Sequence, residues 1–174
     1  MRYHNITHAD MLNGEGLRVV LWVSGCSHHC PGCQNATTWD EGDGILFDED
    51  AIHEIYNDLK EDWCKGLTLS GGDPLFLKNR RTIRNLVLTC KKLYPTKTIW
   101  CYTGYSFEEL MGQMETDTDL KDILENIDVL CDGKFVLRLA DEKIKYVGST
   151  NQRIINIPKS LKTNKMHLWK EIIK

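Results

Sequence analysis

From Leu17 to Ser24 the chain reads LRVVLWVS, a nearly unbroken apolar run that ends on Gly25. Such a run predicts a strand buried on both faces of a parallel sheet. Asp48 stands where an N-cap belongs, with Phe47 and Ile52 spaced as a hydrophobic staple, and Ile52, Ile55, Leu59 and Trp63 continue one helical face. Gly66 to Ser70 (GLTLS) predicts a second short strand that runs directly into Gly71-Gly72-Asp73-Pro74. Between Asn79 and Tyr94, Ile83, Leu86, Val87, Cys90 and Leu93 recur at helical spacing until Pro95 stops the helix. Thr98 to Tyr102 reads as a third strand. Ser106 and Glu109 have capping-box spacing, and Leu120, Ile123, Leu124 and Ile127 predict a further helix before a strand at Asp128 to Cys131.

This alternation of strand and helix specifies an α/β fold with parallel strands joined by right-handed crossovers, which binds ligands beyond the carboxyl ends of the strands. The unusual loops all fall there. A closed eight-strand barrel takes about 250 residues, whereas 174 residues supply five or six strands. The expected architecture is a single domain over residues 1–174, an open partial (βα) barrel with a mostly parallel sheet. The lysine-rich tail, 159–174, is expected to cover the sheet through Met166, Trp169, Ile172 and Ile173. Neither an internal repeat nor a linker composition marks a domain boundary.

Composition narrows the function classes. A formal charge of −3 provides no broad positive field for a nucleic-acid backbone. The opening MRYHNITHAD holds no apolar run of signal-peptide type, and nowhere are there 18 successive apolar residues to cross a bilayer. The expectation is a cytoplasmic protein that engages neither nucleic acid nor membrane. Seven cysteines in that setting imply reduced thiols and metal binding rather than disulfides. Cys64, Cys90, Cys101 and Cys131 are scattered among apolar neighbours and read as buried packing residues.

The other three cluster in a Gly-rich polar loop, residues 25–44, that begins where the first strand ends. Cys26-x-x-x-Cys30-x-x-Cys33 puts three soft ligands in one short segment, which suits zinc or an iron–sulfur cluster. A four-iron cubane held this way keeps one iron without a protein thiolate and therefore open to a cofactor. The rival is a closed Cys3His zinc site completed by His28, His29 or another histidine. Asp73 after two glycines, and Asp132-Gly133-Lys134, read by themselves as ordinary turns.

GCSHHCPGC, placed just after the first strand, resembles the signature loop of the radical S-adenosylmethionine superfamily. The resemblance implies that Cys26, Cys30 and Cys33 ligate a [4Fe-4S] cluster and that S-adenosylmethionine chelates the fourth iron. It further implies cofactor contacts at Gly32, Cys33 and Gln34, along Gly71, Gly72 and Asp73, and at Asp132 and Lys134, the last two as the Asp-x-Lys pair of glycyl-radical activating enzymes. Asp73 is one methylene shorter than the superfamily's usual Glu. Cys-Pro-Gly-Cys, NGEGLRVVLWVSGC, LSGGDPL, YTGYSFEEL and GSTNQRIINIPKSL resemble in particular the anaerobic ribonucleotide reductase activating proteins, over most of the chain.

That resemblance implies reductive cleavage of S-adenosylmethionine and hydrogen removal from a glycine in the C-terminal loop of the reductase's catalytic subunit, with a flavodoxin-like or other low-potential electron donor. An open barrel without a lid suits a large partner that supplies the missing walls. The alternatives are a radical enzyme acting on a small metabolite, similar to 7-carboxy-7-deazaguanine synthase, and a zinc-binding adapter. Thr103 and Tyr105 at a strand end, and Arg153, are further candidates to line the site or to hold a carboxylate, with wall packing and a surface ion pair as their plainer roles.

Overall fold

The computed structural model describes residues 1–169. Among these, seven strands form one sheet in the order β3-β1-β2-β4-β5-β6-β7. The strands are β1 (Arg2–Asp10), β2 (Leu17–Val23), β3 (Ile45–Leu46), β4 (Cys64–Gly71), β5 (Thr98–Tyr102), β6 (Val129–Asp132) and β7 (Arg153–Asn156). The helices are α1 (Glu49–Leu59), α2 (Arg80–Leu93), α3 (Phe107–Gln113), α4 (Thr118–Asn126) and α5 (Ile157–Thr163).

Strands β2, β4, β5 and β6 are parallel, each pair bridged by a helical crossover, whereas β1, β3 and β7 pair antiparallel. The sheet is therefore mixed and open: a parallel centre with antiparallel flanks, where the hydrophobic pattern predicts a mostly parallel one. The cause lies in connection length. Six residues separate β1 from β2, too few for the crossover that a parallel pair requires.

The helix boundaries follow the chemistry read from the sequence. Asp48 caps α1 by accepting from the Ala51 N–H at 3.1 Å, and Ser106 and Glu109 form the reciprocal capping box of α3. Trp63 departs from expectation, because α1 ends at Leu59 and the ring lies beyond it, partly exposed. Leu21, Leu67, Leu69, Ile99 and Leu130 face Ile55, Ile83, Val87, Leu120 and Ile123 of the helices in one aliphatic core.

Strand alternation turns the intervening residues to the opposite face, which is polar and aromatic. Arg18 is fully buried there. Its guanidinium donates to the Thr68 and Thr98 hydroxyls and to the Leu67 and Thr98 carbonyls, and it lies over the Trp100 ring. Burial pushes its pKa down to about 10. Trp169 from the tail packs edge-on against Trp100 with centroids 6.0 Å apart, so this part of the tail does cover the sheet. Met166 is partly exposed, and Ile172 and Ile173 lie outside the described residues.

Strand β1 meets α1 through His8, whose ring nitrogens contact Asp58 at 2.7 Å and Glu54 at 3.0 Å. The hydrogen bond to Asp58 is the main cause of a raised His8 pKa. A pKa raised in the folded state contributes stability that is complete below the unfolded value of about 6.5 and is lost as pH rises through the folded one. Replacing His8 by Gln should therefore lower the urea midpoint most at about pH 6, with the deficit shrinking towards pH 8.5; denaturation series at the two pH values measure it.

Candidate functional site

The parallel strands β2, β4, β5 and β6 end along one edge of the sheet, and a cavity of about 1100 Å³ opens there. Cys26, Cys30, Gly32, Cys33 and Gln34 line it from the loop after β2. Gly71 and Gly72 at the end of β4, Thr103 and Gly104 after β5, and Gly133 after β6 complete that side. Four chain segments distant in sequence thus converge because their strands run in the same direction.

The cysteine loop owes its shape to its own residues. Pro31 and Gly32, the latter at φ +75°, occupy the central positions of a turn closed by the Cys33 N–H on the Cys30 carbonyl at 3.0 Å. Proline presets the first of these positions and glycine alone takes the second without strain, as in a type II turn. The loop is strapped down at its start, where Gly25 and Cys26 donate to the Thr38 and Trp39 carbonyls. Thr38 belongs to a short 3-10 turn, Ala36–Thr38.

Burial pushes the Cys26 and Cys30 thiols above the usual thiol range; coordination to a metal is what converts such thiols to thiolates. Among the described residues no three Cys, His, Asp or Glu side chains meet around a point that would hold one ion. A four-iron cluster makes no such demand, since each thiolate bonds its own iron. Three soft donors facing one cavity therefore fit a cluster. The neighbouring histidines are engaged elsewhere, His28 on Asp73 at 2.9 Å and His29 stacked on Trp39. Cys64, Cys90, Cys101 and Cys131 are buried and apart from the cavity, and burial holds Cys90 and Cys131 up at about 12.

The glycines of Gly71-Gly72-Asp73-Pro74 are needed where backbone meets backbone. A Cβ on Gly71 would stand 2.6 Å from the Val23 nitrogen, and one on Gly72 would stand 2.5 Å from the Gly25 carbonyl oxygen. Gly72 and Asp73 in turn donate N–H to the Val23 and Gly25 carbonyls at 2.7 and 2.8 Å. Asp73 is buried beneath this junction and is absent from the cavity wall. Its Oδ2 accepts from His28, the Thr103 hydroxyl and the Gly104 N–H, and its Oδ1 from the Leu75 N–H.

Asp132 is likewise buried off the wall. It accepts from the Phe107 N–H at the start of α3 and from the Arg153 guanidinium, which also reaches Glu108. These two carboxylates raise the Arg153 pKa. Lys134 is exposed, and its carbonyl accepts from the Asn151 amide. Of the Asp-Gly-Lys turn only Gly133 faces the cavity. Thr103 lines it, and Tyr105 instead packs edge-on against His28 at 4.5 Å.

Three residues of the site have no signal in the hydrophobic pattern. His28 stands in the sequence only as a candidate zinc ligand, yet it is the partner of Asp73. Arg18, inside an apolar strand, underlies the polar face. Tyr102 lines the cavity with a buried hydroxyl that finds no oxygen or nitrogen partner among the described residues and has the Cys131 thiol as its neighbour, a placement visible only once the fold brings the strand ends together.

An α/β chain with three cysteines facing a cavity at its strand ends is matched by the family model described as a 4Fe-4S single cluster domain, over residues 12–155. The match supports an iron–sulfur cluster as the bound group. The anaerobic ribonucleoside-triphosphate reductase-activating protein of Enterobacteria phage T4 is 43% identical over 154 residues, covering 88% of this chain and 93% of that protein. The proteins of the same description from Haemophilus influenzae and Escherichia coli K12 are 44% and 42% identical, covering 88% and 87% of this chain and 97% and 96% of theirs. This chain belongs to the family of anaerobic ribonucleoside-triphosphate reductase-activating proteins.

The backbone contact at Gly72 provides a test of the junction. Gly72→Ala should cost about 1–3 kcal/mol by overpacking and lower iron uptake on reconstitution. Gly112→Ala, in α3 with open space around the position, should leave iron content unchanged. Denaturant titration and iron analysis of both variants measure the difference.

Proposed function

We propose that this chain is a radical S-adenosylmethionine activating enzyme with the open partial-barrel fold of that superfamily. It works as one domain over residues 1–174 and generates a glycyl radical on an anaerobic ribonucleoside-triphosphate reductase. The observation that carries this reading is the convergence of Cys26, Cys30 and Cys33 with Gly71 and Gly72 on one cavity at the strand ends. When bound there, a [4Fe-4S] cluster supplies the one electron that cleaves S-adenosylmethionine to methionine and a 5'-deoxyadenosyl radical, which removes hydrogen from the partner's glycine.

The chain's own residues bind and orient. Cys26, Cys30 and Cys33 would hold a [4Fe-4S] cluster through their three thiolates, leaving one iron open to the cofactor. Gly32, Gln34, Gly71 and Gly72 present backbone and a polar side chain along the wall, held there by the close packing of Gly71 and Gly72 against Val23 and Gly25. Asp132 acts from behind the wall by fixing Arg153 and the start of α3, and Lys134 stands exposed on the other side of Gly133. No general acid or base is required, because the task is to align one C–H bond.

Met11 and Leu12, in the connection between β1 and β2, and Leu137, after β6, are exposed apolar residues that line the same cavity. They form lips suited to a protein loop; the family's name indicates the reductase as the target, and in this reading its C-terminal glycyl loop is the occupant. A low-potential, flavodoxin-like protein would deliver the electron, in the cytoplasm.

Anaerobic reconstitution followed by electron paramagnetic resonance tests the reading. With S-adenosylmethionine, a reductant and the reductase, a glycyl doublet is expected; cofactor cleavage without a partner radical would instead indicate a small-molecule substrate. Alanine at Cys26, Cys30 or Cys33 should abolish cluster assembly and activation, whereas Cys64→Ala should lower stability and retain activation. Leu12→Asp should keep reductive cofactor cleavage while losing most of the glycyl signal.

A further inference from the structure

Asp73 occupies the place where the resemblance puts a cofactor contact, but its carboxylate is surrounded by the protein. Both Asp73 and His28 side chains are almost wholly inaccessible, at 1% and 7% exposure. Three donors converge on Oδ2: His28 Nε2 at 2.9 Å, the Thr103 hydroxyl at 2.9 Å and the Gly104 N–H at 3.0 Å. The Leu75 N–H takes Oδ1 at 2.8 Å. A carboxylate offers about four lone-pair sites, two on each oxygen, so Oδ2 is saturated, and the site left on Oδ1 is buried away from the cavity, out of reach of a cofactor's ammonium group. The shorter side chain is the reason: an aspartate stops beneath the strand ends.

His28 lies in the cysteine loop, two residues after Cys26. Its ring is fixed on three sides, by Asp73, by the edge contact with Tyr105 and by Gly104, where a Cβ would stand 2.3 Å from the ring. The cysteine loop is thereby tied to the ends of β4 and β5 through one side-chain pair.

Resting on the proposed function, we propose that Asp73 and His28 act as a single positioning unit. Asp73 does not touch the cofactor; it holds His28, and through His28 it sets where the cluster loop stands relative to the neighbouring Thr103 and Gly104. The unit governs how well the cluster accepts S-adenosylmethionine, rather than whether a cluster forms, because Cys26, Cys30 and Cys33 and the Thr38 and Trp39 straps do not depend on it.

The test compares reconstituted full-length proteins by iron and sulfide content, by S-adenosylmethionine Kd from calorimetry, and by the change that the cofactor makes in the reduced-cluster resonance. His28→Leu should keep the cluster and raise Kd about tenfold, the scale of a lost hydrogen bond to a charged group. His28→Gln, whose amide reaches the same oxygen, should restore most of that affinity. Asp73→Asn should also raise Kd, and the His28→Leu/Asp73→Asn double variant should be no weaker than the weaker single. A His28→Leu protein with wild-type Kd and cofactor-induced resonance, beside an Asp73→Asn protein that has lost both, would make Asp73 a direct contact and overturn the proposal. Multiplying losses in the double variant, or loss of the cluster itself in His28→Leu, would overturn it too. Wild-type protein that assembles the cluster and binds no S-adenosylmethionine would instead refute the function on which the proposal rests.

Discussion

The close parallel approach of the ends of β2 and β4 is the constraint on which the site depends. Val23 stands in register with Gly71, and the hydrogen bonds of the ladder continue past both strands into Gly72–Val23 and Asp73–Gly25. The cysteine loop therefore leaves the sheet as an extension of paired strands rather than as a free segment. Asn79 at the head of α2 adds to this by donating its amide to the Ser24 and Asp73 carbonyls. A loop rich in glycine and cysteine could not order itself at this cost in chain entropy; it is ordered because its base belongs to the sheet.

The two faces of that sheet divide the work. The helix side is aliphatic and supplies the core, while the side towards the cavity carries Arg18, Thr68, Ser70, Trp22 and Tyr102. The polar groups on this second face are mostly satisfied within the protein, Arg18 by carbonyl and hydroxyl oxygens and Trp22 by the Thr7 hydroxyl. Satisfied polar groups keep a cavity wall rigid without driving its collapse.

The central elements were legible from the sequence because each combines a period with a punctuating residue. Strand β5 runs over the five residues that its apolar pattern indicates, and Asp48 and Ser106 cap the helices their spacing assigns them to. Strand β1 was not legible: irregularities between Tyr3 and Asn5 and between Thr7 and Asp10 break its alternation. The two-residue β3 is too short to have a period. At the site, the cysteines and glycines announce themselves by composition, but the direction of a carboxylate does not. Asp73 and Asp132 sit in turns that look poised for a ligand, and only the partners brought by other segments, His28 and Arg153, reveal where their oxygens point.

The open sheet carries a hazard that its two margins answer differently. Unpaired strand edges invite a neighbour to add a strand. At one margin the two-residue β3 covers Arg2 and Tyr3, and the rest of the edge is β1, interrupted by its register shifts; at the other Leu168 bridges to Ile155 and Trp169 donates its N–H to Ile154. The chain thus shields its flanks with a stub and a folded-back tail instead of by closing a barrel. That leaves the cavity mouth at the strand ends open, while neither rim offers a long, regular edge to which another strand could add.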